Sequence, residues 1–141
     1  MCKYGHWEKT VVTKIEPIKH KEGYYTVTPY ESIDNESHQE FYEKIRSIFS
    51  ESLKGILIDL RHVEYISSAG LGVLFTTKKY MMGIGGELYF CNLKPQIKKL
   101  FEIVKTLKKE TLFKDNDEAD GYFYAIMNEE IKKQRDKPKP I

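Results

Sequence analysis

Along this chain the spacing of apolar positions alternates between stretches of β-type residues and stripes at helical spacing, and each change marks an element. Residues 11–18 are rich in β-branched side chains, residues 19–23 supply a turn ending in Gly23, and residues 24–28 resume the β pattern. This predicts a hairpin closed by Pro29, which cannot donate to a ladder. Ser37 and Glu40 have the spacing of a capping box. Behind them Phe41, Ile45, Ile48, Phe49 and Leu53 repeat at helical spacing, which predicts a helix to about Ser52. Residues 55–60 form a short continuous apolar run after a glycine, the kind buried on both faces of a parallel sheet. Leu71, Leu74, Phe75 and Met82 mark a second helix, the glycines at 83, 85 and 86 stop it, and residues 87–91 make the next strand. Pro95 suits a first helical turn, and Ile97, Leu100, Phe101 and Val104 stripe a third helix. Leu112 and Phe113 predict a last short strand. Ala119, Tyr122, Phe123, Ile126, Met127 and Ile131 stripe a fourth helix.

The order β-β-α-β-α-β-α-β-α predicts the α/β class. The sheet should be mixed but mainly parallel, with four to five strands, covered by about four helices through right-handed crossovers. A length of 141 residues fits one domain. Its expected limits are residues 10–132, with an N-terminal extension over 1–9 and a basic lysine–proline tail over 133–141.

Composition narrows the function classes. With 40% hydrophobic and 31% charged residues the chain reads as an ordinary globular protein. Its 23 basic and 21 acidic side chains nearly cancel, leaving +2, without the basic stripe a nucleic-acid binder carries. The one basic cluster, residues 132–140, reads as a solvated tail. A run of ~18 apolar residues, as a spanning helix needs, is missing, and the charged first residues argue against a signal peptide. No membrane insertion and a cytoplasmic location are therefore expected. Cys2 and Cys91 lie far apart with neither CxxC nor Cys/His spacing, so no disulfide, metal site or cofactor is expected.

Candidate chemistry is sparse. The glycines of 83–86 close a helix and precede a strand, the reverse of a dinucleotide-binding turn, and so read as a helix stop. His6, His20, His38 and His62 are scattered and read as surface or capping residues. Asp59 sits in an apolar run, where a carboxylate must be paired or hydrogen-bonded, and reads as a strand-end bond acceptor. No nucleophile, base and orienting group come together, so an enzyme is not expected. A small α/β enzyme relying on Asp59 or His62 is the rival class.

Residues 58–74 run from strand through a short connection and small residues into a helix. Ser67 or Ser68 would stand at the helix N-cap, where a hydroxyl accepts from unpaired backbone amides. Ala69, Gly70 and Gly72 would leave the backbone around it open to a partner. Here the chain resembles the STAS family, the anti-sigma-factor antagonists of bacterial partner-switching systems. Asp59-Leu60 matches the family's strand end, and Ser68-Ala69-Gly70-Leu71-Gly72 matches its helix start. Downstream, the strand at residues 86–93, the helix from Pro95 and Leu112-Phe113 match as well, so the resemblance spans about residues 10 to 130. At Ser67 the family usually has Asp.

The resemblance implies that Ser68, with Ser67 as second choice, is phosphorylated by an anti-sigma factor that is itself a serine kinase, and restored by a serine phosphatase. It implies a partner-binding surface of Tyr65, Ile66, Ser67, Ala69, Gly70 and Leu71, with Lys78 and Lys79 on the flank of the helix. A STAS module that binds another partner, such as a signalling kinase, a transporter or a lipid-export complex, is the alternative within the family.

Overall fold

The computed structural model describes residues 13–106 and 116–136. The strand expected at Leu112 and Phe113 and the extension over 1–9 lie outside the described residues. The elements are β1 (Thr13–Pro17), β2 (Tyr24–Pro29), α1 (His38–Arg46), β3 (Gly55–Asp59), α2 (Ser68–Gly83), β4 (Glu87–Cys91), α3 (Pro95–Thr106) and α4 (Asn116–Arg135). The four strands lie in the order β1-β2-β3-β4. β1 and β2 form the antiparallel hairpin, and β3 runs parallel to both β2 and β4. This is the mixed, mainly parallel sheet expected, with α1 and α2 as its crossovers.

Register explains the core. Val27, Ile58 and Phe90 fall in one row across β2, β3 and β4. Val27 and Ile58 are fully buried, and Phe90 packs against the core cluster to which they belong. The alternate row, Thr26, Leu57 and Tyr89, is half-buried at Thr26 and Leu57 and 52% exposed at Tyr89. The helices therefore cover one face of the sheet well, whereas the apolar run of β3 suggests burial on both. Ile97 and Leu100 of α3 and Phe123 and Met127 of α4 complete the core.

Several boundaries differ from the sequence reading. α1 stops at Arg46, although its apolar spacing continues to Leu53. Ile48 N–H donates to Ile45 and Phe49 N–H to Arg46, tighter turns that end the helix while their side chains still pack on the core. The Ser37–Glu40 capping box does not form. Ser37 makes no side-chain cap and instead donates to the Ser32 carbonyl at 2.6 Å, while Asp34 accepts the Glu36 and Ser37 amides. Phe75 and Met82, assigned to the inner stripe of α2, are 52% and 69% exposed, and Tyr122 of α4 is also exposed. α4 runs to Arg135, so Lys133, Gln134 and Arg135 are helical and not part of a tail. The glycines after α2 do form a helix stop. Gly86 N–H reaches back to the Met81 carbonyl at 2.7 Å, with Gly85 at positive φ.

Because β2, β3 and β4 are parallel, their carboxyl ends lie together. The loop after Pro29, the connection after Asp59 and the residues after Cys91 meet there, and that connection delivers the start of α2.

Candidate functional site

The connection from β3 to α2 is pinned from both sides. Ile33 N–H donates to the Tyr65 carbonyl at 3.1 Å, Ser67 N–H donates to the Ile33 carbonyl at 2.9 Å, and Tyr65 N–H donates to Ser32 Oγ at 3.1 Å. Ile33 and Ile66 thus form a parallel bridge, with both side chains in the core. Gln96 of α3 donates to the Glu64 carbonyl at 3.2 Å and to its carboxylate at 3.1 Å. The path of residues 64–67 is therefore fixed, and with it the position of the helix start.

Ser67 is the N-cap. Its backbone is extended, and its Oγ accepts from Gly70 N–H at 3.1 Å. Ser68 is the first helical residue. Its backbone N–H donates to Asp120 Oδ1 on α4 at 2.6 Å, and Asp120 Oδ2 accepts from Asn35 Nδ2 at 3.4 Å. The Ser68 hydroxyl oxygen is covered and has no hydrogen bond among the described residues. Burial would push the Asp120 carboxyl up, but the Ser68 amide, the nearby Ser68 hydroxyl and Asn35 outweigh it and hold the group below the usual carboxylate range.

A groove of about 400 Å³ opens beside this point, lined among others by Ser32, Asn35, Tyr65, Ser67, Asp120 and Tyr124. The Tyr65 and Tyr124 rings stack at 5.3 Å between centroids, 14° from parallel. Burial, then the neighbouring Tyr124, push the Tyr65 phenol above its ordinary range.

These positions narrow the expected binding surface. Tyr65, Ser67, Ser68 and Ala69 are half-buried and reach the surface. Ile66 and Leu71 do not, being 0% and 3% exposed core residues. Gly70 is buried too, and its smallness has an internal cause: a Cβ there would collide with the Ile33 carbonyl oxygen. Of the small residues, Gly72 has open space around it. Lys78 and Lys79 are exposed but lie ten and eleven residues along α2, about 15 Å from Ser68.

Asp59 is tied to Arg61, which donates through Nε to both oxygens at 3.1 and 3.0 Å, and to Asn92 at 3.2 Å. These bonds occupy it as a structural carboxylate. His62 is exposed and stacks on Tyr30 at 4.8 Å. Sequence reasoning missed Asp120, Asn35 and Tyr124. Asp120 and Tyr124 flank the Ala119–Phe123–Met127 stripe of α4 one helical turn apart, a spacing that marked a helix face but not its neighbour. No helix among the described residues is long and apolar enough to cross a membrane.

The family model of the STAS domain matches residues 17–119. BtrV of Bordetella bronchiseptica, named as an anti-sigma factor antagonist, is 44% identical over 48 residues, which are 34% of this chain and 41% of BtrV. The match thus spans less than half the length of that relative. Among solved structures, an anti-sigma factor antagonist candidate from Thermotoga maritima superposes with a TM-score of 0.58 at 16% identity, over 79% of this chain and 93% of that one. Unphosphorylated SpoIIAA, an anti-sigma factor antagonist, gives a TM-score of 0.54 at 16% identity, over 64% of this chain and 82% of its own. The phosphorylated form of SpoIIAA, a Bacillus cell fate determinant, gives the same score over 65% and 82%. At these identities the structural likeness establishes the fold, which is that of SpoIIAA.

Proposed function

Because this chain belongs to the STAS domain family, we propose that it is an anti-sigma-factor antagonist of a bacterial partner-switching system, working in the cytoplasm as the substrate and inhibitor of a kinase and not as a catalyst. Unmodified, it binds an anti-sigma factor that is also a serine kinase, and sigma is released. Phosphorylation of Ser68 ends that complex, and a serine phosphatase restores it. The working unit runs from about residue 10 through the end of α4 at Arg135.

One observation carries the reading. The serine that the family pattern marks, Ser68, opens α2 next to a surface groove walled by the stacked Tyr65 and Tyr124, with its hydroxyl covered beside Asp120. Names of relatives support it: BtrV and SpoIIAA are both called anti-sigma factor antagonists, and SpoIIAA has a phosphorylated form. The partner surface comprises Tyr65, Ser67, Ala69 and Tyr124, whose rings supply large contact area at low entropic cost. A phosphate adds about −1.5 to −2 charges at Ser68 and so alters this surface more than any neutral change of similar size.

The test is intact-mass analysis of the protein isolated from its own cell, with its co-purified partner, followed by titration of that partner. One phosphate should map to Ser68. Ser68→Ala should keep the partner and take up no phosphate, and Ser68→Asp should bind at least about tenfold more weakly. Equal binding by both variants, or a phosphate mapped elsewhere, overturns the proposal.

A further inference from the structure

Two side chains of α2 break its burial pattern. Phe75 and Met82 lie seven residues apart on one side of the helix, and they are 52% and 69% exposed. Large apolar side chains grouped in the open mark a surface that another molecule covers. Lys78 lies between them with Lys79 beside it, both exposed. On the neighbouring helix, Lys105 stands exposed in the last turn of α3. None of these three lysines makes an ion pair among the described residues.

Here the surface opens into two adjoining sockets. The first, about 130 Å³, is lined by Leu74, Phe75, Phe90, Phe101 and Val104, with Lys78 and Lys105 at its walls. The second, about 180 Å³, is lined by Met81, Met82, Leu88 and Phe90, again with Lys78. Glu87 and Glu102 belong to the same elements, β4 and α3, but line neither socket. Each socket is smaller than the ~300 Å³ at which small-molecule sites begin, and matches one bulky side chain instead. On α2 the first is walled by Leu74 and Phe75 and the second by Met81 and Met82, seven residues or about 10 Å further on. Two anchors at i and i+7 of a docked helix stand at the same separation.

We infer that this face of α2, β4 and α3 is a second docking surface, and that its occupant is an amphipathic helix of a partner protein carrying two bulky apolar anchors flanked by acidic residues. The anchors fill the two sockets, and the flanking carboxylates meet Lys78, Lys79 and Lys105. Charge selects the partner: three unpaired cations and no lining anion draw an acidic helix and repel a basic one. Lys78 is ten residues from Ser68, about 15 Å along α2, so this surface is separate from that serine and independent of its modification. Two partners then have room on one chain, one towards each end of the same helix.

The test is a peptide titration followed by heteronuclear NMR. The probe is an alanine-based peptide of roughly 18 residues, long enough to hold a helix, with leucine at two positions seven apart and glutamate on either side of them. A second peptide carries lysine for every glutamate. The glutamate peptide should shift amides within residues 74–90 and 101–105. It should bind at least about tenfold more tightly than the lysine peptide, by a margin that shrinks as salt is raised. Lys78→Glu and Phe75→Ser should each weaken it about tenfold. Because Phe75 is already half in water, Phe75→Ser should leave the urea midpoint unchanged. A large fall in that midpoint would show that the chain itself covers the ring, and overturns the proposal. Equal binding of the two peptides, or shifts confined to other residues, overturns it too. So does a dimer of the free chain in sedimentation that Phe75→Ser dissociates, which makes a second copy the occupant. Decanoate binding the same residues more tightly than the peptide overturns it in favour of a small amphiphile.

Discussion

Asn92 donates to Asp59 across 33 residues of chain, tying the end of β4 to the end of β3 at 3.2 Å. Asn92 holds positive φ there, a conformation Asn tolerates better than most residues. The same Asp59 oxygen accepts the Arg61 backbone N–H at 3.1 Å, so one carboxylate fixes two of the three connections that leave the sheet at this end. Asp59→Ala should therefore cost about 2 kcal/mol in urea unfolding, since it strands partly buried donors. Arg61→Ala should cost under about 1 kcal/mol, because the Arg61 side chain is 55% exposed and its donors can turn to water. Equal losses in the two variants would mean that the ion pair, and not the carboxylate as a shared acceptor, holds this corner.

Acid should loosen the protein through two carboxylates. Burial alone would raise Asp59, but the side chain and backbone of Arg61 and the Asn92 amide outweigh it and hold the carboxyl below its ordinary range. Asp120 is held down in the same way by Ser68 and Asn35. A carboxylate depressed in the folded state contributes stability above its unfolded value, near ~3.9, and loses it as pH falls through the lower folded value. The urea midpoint should therefore hold its Asp59 and Asp120 contribution down to about pH 5 and lose it below about pH 4. The Asp59→Asn, Asp120→Asn double variant should start lower and fall less steeply. An identical acid slope in wild type and double variant would remove these two groups from the account.

The same two carboxylates mark the boundary of what was legible. Asp59 lies in a local pattern, an apolar run with a polar residue near its end, and its role as a bonded strand-end acceptor could be read directly. The alternation of β3, α2 and β4 was legible for the same reason, because each element buries a continuous or periodic set of its own residues. Asp120 was not, since its partner is the amide of a residue 52 positions away and any carboxylate on a helix flank reads as a solvated face. Apolar spacing reports burial, so it ran on past Arg46 through Ile48, Phe49 and Leu53, although the backbone there had already turned. Gly70 was misread for a related reason. Smallness in a sequence does not say whether the space beside it is open or filled by another part of the chain.

That difference makes Gly70 and Gly72 a matched pair. A Cβ on Gly70 would press into the Ile33 carbonyl oxygen and stand 2.9 Å from Ile33 Cγ2 and 3.0 Å from Ile66 Cγ2. The carbonyl cannot retreat cheaply, because it accepts Ser67 N–H at 2.9 Å and its residue is bridged to Ile66. Gly70→Ala should then destabilise by about 2–3 kcal/mol, the cost of overpacking a held backbone. Gly72 lies one turn into the same helix with nothing within 4 Å of its would-be Cβ. Ala there removes only the entropic cost of glycine in a helix, so Gly72→Ala should stabilise by about 0.5–1 kcal/mol. Melting temperatures should move in opposite directions, by roughly 4 °C per kcal/mol for a domain of this size. Small shifts of the same sign at both positions would mean that Ile33 does not clamp the helix start, and the fixed geometry around Ser67 and Ser68 would lose its support.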